Sequence, residues 1–324
     1  MKAAIRLQSF LFIVATSCAP PVSQNVPKRV GIKNVQVPMS ELKPLATFSL
    51  GGKPDWTVIT GDAVWISNSE LHAVQRIDPR TNQVIAKVDL PGKPCSGLVY
   101  GFGSVWSPIC GNGKGLARID PVANRVTAIL PLFAADDEGS IAASEGSVWL
   151  VANNEGLLLR VDPKTDQVKQ EIHVPAGSYN PMYSDGIVWV TGIEKGVLTP
   201  VNADTGEVMA PIAVGSRPRF LTAGAGLIWT LNQGDGSVTR VDAKTRRVTA
   251  RIEVGIPGPG GEICYSDGSV WTTVIGIPLT KIDVKGNKVE KQWVGLGGDS
   301  VRYGHGTLWL TDLEHGQVWR LKGP

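Results

Sequence analysis

Gly146-Ser147-Val148-Trp149 recurs in variant form along almost the whole chain, as Gly103-Ser104-Val105-Trp106, Gly186-Ile187-Val188-Trp189, Gly226-Leu227-Ile228-Trp229, Gly268-Ser269-Val270-Trp271 and Gly306-Thr307-Leu308-Trp309. A seventh copy, Gly61-Asp62-Ala63-Val64-Trp65, carries one extra residue. The tryptophans are separated by 41, 43, 40, 40, 42 and 38 residues. A repeat of this length assembled from short strands is the signature of propeller blades. The spacing therefore predicts an all-β, seven-bladed β-propeller with four antiparallel strands per blade.

The first unit shows how residue chemistry produces the strands. Trp56-Thr57-Val58-Ile59-Thr60 is rich in β-branched and aromatic side chains, which suit a pleated, packed surface. Gly61-Asp62 supplies the turn and residues 63–68 the second strand. A third runs over 73–78, ending at Pro79, which has no N–H for a central ladder. The fourth strand, 83–90, alternates Val84, Ala86, Val88 and Leu90 at period two. The last unit offers only three strands, 299–303, 307–312 and 317–321. Leu45-Ala-Thr-Phe-Ser-Leu50, followed by Gly51-Gly52-Lys53-Pro54, matches the fourth strand and exit loop of blade one. This strand, about 45–50, is predicted to complete blade seven and close the ring, which removes exposed sheet edges.

Residues 42–324 then form one propeller, although 324 residues would more often suggest two domains. Hydrophobic residues make up 42% of the chain, enough for a large core, and 38 glycines suit hairpin turns. The formal charge of +3 would fall to about +1 without Lys2 and Arg6, so a nucleic-acid surface is not supported. Residues 1–18 have signal-peptide composition: a basic start, the short apolar run Leu7–Val14, then small residues. Ala15-Thr16-Ser17-Cys18 also resembles a lipoprotein cleavage box with Cys18 as the lipidated residue, and lipidation and simple secretion both remain open. Residues 19–41, with Pro20, Pro21, Pro27 and Pro38, read as an extended tether. The expectation is an extracytoplasmic monomer, periplasmic, secreted or held at the outer membrane by lipid alone.

Cys95 and Cys110 flank one hairpin of blade two. If Phe102-Gly103 forms its turn they face each other, which makes a disulfide one reading. Two buried thiols are the other, because a shift of the turn by one residue changes the pairing. Cys264 falls in an inner strand and reads as a packed small side chain. The Arg/Lys-x-Asp triplets ending at Asp78, Asp120, Asp162, Asp242 and Asp283 recur in blade after blade. Repetition argues for turns held by aspartate rather than for catalysis. The tryptophans read as filling between blades.

Val148-Trp-Leu-Val-Ala-Asn153, Arg160-Val-Asp-Pro-Lys-Thr165 and Val214-Gly-Ser-Arg-Pro218 resemble the YVTN family of β-propellers. The Gly-x-x-Trp rhythm is similar to the repeats of virginiamycin B lyases (streptogramin lyases), and the likeness extends over residues 45–321. It is specific for the fold and says little of activity. The lyases use histidine and glutamate around magnesium at the channel mouth, with histidine after a proline at the start of the innermost strand. Here those places read Pro54-Asp55, Pro94-Cys95 and Pro218-Arg219, so the expected general base is missing from the matching positions.

Propeller geometry gathers the loops entering each innermost strand around one mouth of the channel. The ligand-binding candidates there are Asp55, Trp56, Glu138, Tyr179, Asn180, Arg219, Phe220, Glu262 and Asp299. Glu262 and Asp299, on adjacent blades, form a candidate carboxylate pair for magnesium or calcium. His72 and His315, with Glu70, Asp312 and Glu314, make a weaker set. The resulting expectation is a binding protein for a small polar ligand or an envelope protein, with no catalytic residue assigned. A metal-dependent lyase or a lactonase-type hydrolase at the channel mouth is the alternative.

Overall fold

The computed structural model describes residues 31–95, 97–111 and 114–323. They form seven sheets in chain order around a central channel, the four strands of each blade antiparallel. Blade one consists of Pro54–Ile59, Val64–Asn68, Ala73–Asp78 and Gln83–Asp89, the first strand lining the channel and the last facing outward. Blades two to six repeat this order, and blade seven contributes Val301–Gly304, Thr307–Asp312 and Gln317–Lys322. Its fourth strand is Ala46–Ser49, antiparallel to Gln317–Lys322 with Phe48 opposite Val318. Burial of Phe48 and Leu50 beside Trp309 holds this closing strand in place.

The stretch read as an extended tether is more ordered at its C-terminal end than composition suggested. Gln36–Pro38 pairs parallel to Lys288–Val294 and adds a fifth strand to blade six. Met39 is buried in the cluster containing Trp271 and Trp293, and Ile32 N donates to Gln292 Oε1 (2.7 Å). Prolines do not prevent this, because an edge strand needs only some of its N–H groups. The signal segment and Cys18 lie outside the described residues.

The repeated arginines bind blade to blade. Arg76, Arg118, Arg160, Arg240 and Arg320 lie 4.9–5.8 Å over the ring of their own blade's repeat tryptophan. Each then donates from Nη1 to a carbonyl in the next blade's outer turn: Pro121, Pro163, Asp204, Val284 and, across the ring closure, Pro79. The aspartates two residues after four of them accept backbone N–H bonds in their own turns, as Asp120 does from Val122 (2.8 Å) and Ala123 (3.1 Å). Tryptophan, arginine and aspartate are thus parts of one framework. Arg320 belongs to it without the aspartate, which is why the triplet pattern does not reveal it.

Cys95 and Cys110 are joined by a disulfide with Cα atoms 5.2 Å apart. The hairpin register expected from Phe102-Gly103 holds from Val99↔Trp106 to Gly101↔Ser104, then slips by two residues at Lys93↔Cys110. The inner strand of blade two is correspondingly broken into Lys93–Pro94 and Val99–Gly101. Cys264 is buried, and burial pushes its thiol up to about 12, so it is not a nucleophile at neutral pH.

Candidate functional site at the channel mouth

Bulges in the innermost strands aim the mouth residues. The register shifts between Pro54 and Thr57, between Ser178 and Pro181 and between Pro218 and Phe220. Asp55 and Trp56, Tyr179 and Asn180, and Arg219 are the residues released from the ladder. Hydroxyls two residues after the repeat tryptophan take N–H groups at this level: Ser67 Oγ accepts from Trp56 (3.1 Å), Thr273 Oγ1 from Glu262 (2.7 Å) and Thr311 Oγ1 from Ser300 (2.8 Å). A short Trp-x-Ser/Thr string in the second strand therefore marks where the first strand leaves regular pairing.

Trp56 spans the channel. Its ring from blade one lies 5.9 Å from Phe220 of blade five and 4.9 Å over the guanidinium of Arg302 of blade seven. A Cβ added to Gly139 would lie 3.2 Å from its ring tip and would collide with Asn180 Oδ1. Gly139, at φ +93°, is thus a place where both backbone angle and close approach require glycine. Above the Trp56 and Phe220 rings, Asp55, Glu138, Glu262 and Asp299 enclose only about 10 Å³. Below them a cavity of about 380 Å³ follows the inner strands toward their ends at Ile59, Ala143, Tyr183 and Tyr303. That end carries the turns from first to second strands, opposite the loops chosen from the sequence.

Charge at the mouth is bound up internally. Arg302 donates from Nη2 to Glu262 Oε1 (2.5 Å) and from Nη1 to Glu262 Oε2 (2.7 Å), while Ser300 Oγ donates to Oε2 (2.5 Å). Burial raises Glu262 to about 7, outweighing the guanidinium and hydroxyl that favour its ionised form. Arg219 donates to Asp136 Oδ1 (2.5 Å), and its Nε lies 3.1 Å from Glu138 Oε2 without a well-aligned hydrogen bond. It also lies over the rings of Phe220 (5.6 Å) and Tyr179 (5.9 Å). Asp136 and Glu138 are raised, chiefly by burial and against the pull of Arg219. Asp299 is raised by burial; it shares a hydrogen bond with Asp55 and accepts one from Gly261 N–H (3.2 Å).

Six of the residues singled out from sequence, Asp55, Trp56, Glu138, Phe220, Glu262 and Asp299, line one small space. Asn180 is a brace: its Oδ1 accepts from Ser140 N (2.8 Å) and its Nδ2 donates to Arg219 O (3.0 Å). Sequence reasoning passed over Arg302 and Ser300. A lone arginine inside the inner strand of blade seven, where neighbouring blades carry apolar or small residues, was the available signal.

Of the carboxylate pair expected to hold magnesium or calcium, Glu262 has both oxygens engaged by a guanidinium and a hydroxyl, and Asp299 bonds another carboxyl. Among the described residues, no three His, Cys, Asp or Glu side chains are grouped to hold a metal ion. His315 pairs through Nδ1 with Asp312 Oδ2 (2.8 Å), and both His315 and His72 are exposed.

Fold and mouth together define a closed seven-bladed β-propeller whose channel is divided by an aromatic bridge. No protein-family model matches the sequence, and no curated protein matches it. Among solved structures the chain is similar to virginiamycin B lyase from Staphylococcus aureus, at TM-score 0.72 and 17% identity over 86% of this chain and 98% of that one. A streptogramin B lyase is similar at TM-score 0.70 and 16% identity, covering 86% and 96%. A catalytically inactive variant of the S. aureus enzyme with quinupristin aligns at TM-score 0.72 and 15% identity, covering 87% and 98%. Likeness at this identity establishes the shared fold and leaves activity to the site itself.

Proposed function

We propose that this propeller binds a small molecule within its central channel, without chemistry of its own, and works outside the cytoplasm. The cavity below Trp56 carries this reading: about 380 Å³, ringed by the inner strands and within the size range of ligand pockets. The carboxyl groups above the bridge are already paired with Arg219, Arg302 or one another, which disfavours a metal or a free general base there. The signal-type start of the sequence and the Cys95–Cys110 bridge support an oxidising compartment. Lipidation of Cys18 would add a membrane anchor.

The binding reading is tested by obstructing the cavity. Met182 lines it and is half-buried, so Met182→Trp adds bulk at its wall. In a thermal-shift screen of small organic acids, alcohols and amines, the wild type is expected to gain stability with some members and Met182→Trp with none. Equal gains in both proteins would place binding elsewhere.

One observation favours a second, catalytic reading. A buried carboxyl held at about 7 is suited to proton transfer near neutrality, as a lactonase- or lyase-type reaction requires. Under that reading the wild type opens a cyclic ester and Glu262→Gln loses at least 100-fold in rate, the usual scale of general acid–base catalysis (about 10²–10⁴). No turnover by the wild type, or turnover that survives in Glu262→Gln, rejects it.

A further inference from the structure

We infer that the cavity beneath Trp56 takes a monoanionic carboxylate with an apolar body, its head on the unused edge of Arg302, entering from the face opposite the charged mouth. The inference rests on the channel-binding reading and adds the ligand's chemistry and direction of approach. Among the described residues, Glu262 and Arg302 are the only charged ones lining the cavity, and they are unequally presented. The Glu262 side chain is 4% exposed and the Arg302 side chain 24%, so the charge that meets the cavity is positive.

Arg302 also has hydrogen-bonding capacity left. Of the five guanidinium N–H groups, Nη1 uses two on Glu262 Oε2 and Val301 O (2.9 Å), and Nη2 uses one on Glu262 Oε1. Nε–H and the second Nη2–H remain, side by side on one edge, in the fork that matches the two oxygens of a carboxylate. The Trp56 ring covers one face of the guanidinium and Glu262 fixes its end, so the fork is held in place before a ligand arrives. Val58, Ile59, Leu98, Met182, Leu221 and Ile263 supply apolar wall along the rest of the cavity. The ligand is a monoanion because the one unused edge of Arg302 has donors for a single carboxylate, and the turns at the far end offer no second one, carrying Asp62, Glu145, Asp185 and Asp267. Of these, Asp62 is paired with Arg76 (2.5 Å).

Calorimetry on the full chain with 4-phenylbutyrate, 4-phenylbutanol and 4-phenylbutylamine tests the assignment. The acid is expected to bind at least 10-fold more tightly than the alcohol, and the amine more weakly than either. Arg302→Gln should bring the acid down to the alcohol's affinity and leave the alcohol unchanged. Glu262→Gln removes the neutralising carboxylate and should tighten the acid. Should Arg302→Gln fail to fold, the double variant Glu262→Gln/Arg302→Gln carries no charge in the cavity wall and should bind acid and alcohol alike. Binding that Met182→Trp blocks but that ignores the head group, or that favours the amine, overturns the carboxylate assignment while leaving the channel reading standing. Binding that Met182→Trp does not affect, or no binding of any of the three, overturns the channel reading and the assignment with it.

Discussion

Replacing Arg302 by methionine is expected to destabilise the protein by about 3–5 kcal/mol at pH 8 and by far less at pH 5, because it strands a buried carboxylate. Glu262 is 3% exposed, and both its oxygens face Arg302. Methionine keeps most of the aliphatic length but offers neither charge nor donors. At pH 5 Glu262 is protonated in the folded wild type, since its folded value near 7 lies above the ordinary 4.5. The lost guanidinium then has little charge to neutralise. The sign for the wild type follows from the same shift. A raised carboxyl favours the folded state fully below about pH 4.5, and this contribution is lost as pH rises to about 7. It is of the order of 3 kcal/mol. Urea unfolding of both proteins at pH 5 and pH 8, followed by tryptophan fluorescence, gives the comparison. A penalty equal at the two pH values would show that Arg302 acts through packing and not through Glu262.

Deleting residues 42–50 should cost as much or more, through a different route. The segment carries Phe48 and Leu50, 5% and 7% exposed, into the cluster of Trp309 and Val318. Burial of two such side chains is worth about 3–6 kcal/mol. Its loss also exposes the Gln317–Lys322 edge, with its unpaired backbone groups, to association with other chains. The expected result is a large fall in the unfolding midpoint accompanied by concentration-dependent association. Lys43→Ala, in the same segment but exposed, should leave both unchanged. A deletion variant that unfolds at the wild-type midpoint as a monomer would disprove the closing role.

Much of the framework was legible in the sequence because it repeats. Seven tryptophans fix seven blades, and a three-stranded remainder at the C-terminus matched by an orphan strand at the N-terminus fixes how the ring shuts. The candidate mouth was legible in part: Asp55, Trp56, Glu138, Phe220, Glu262 and Asp299 could be gathered because each lies near the entry to an inner strand. Their chemistry was not legible. Whether Glu262 is a free carboxylate or an arginine's partner depends on Arg302, 40 residues away on the neighbouring blade. Whether the mouth is open depends on one indole reaching across the axis, and no periodicity reports the direction of a side chain released by a bulge. The ordered run over residues 31–41 was missed for a related reason. A three-residue parallel edge strand is too short to show alternation, and its prolines point toward linker.

The closing strand also makes sealing of the ring the last event in its assembly. Ala46–Ser49 has its partner in Gln317–Lys322, so the first strand of the propeller waits for the last blade. Blades one to six can condense from local hairpins as they emerge, but the circle cannot seal on an unfinished polypeptide. Until blade seven exists, the segment carrying Phe48 and Leu50 keeps a loose end, and the ring becomes one cooperative unit only when that lock engages.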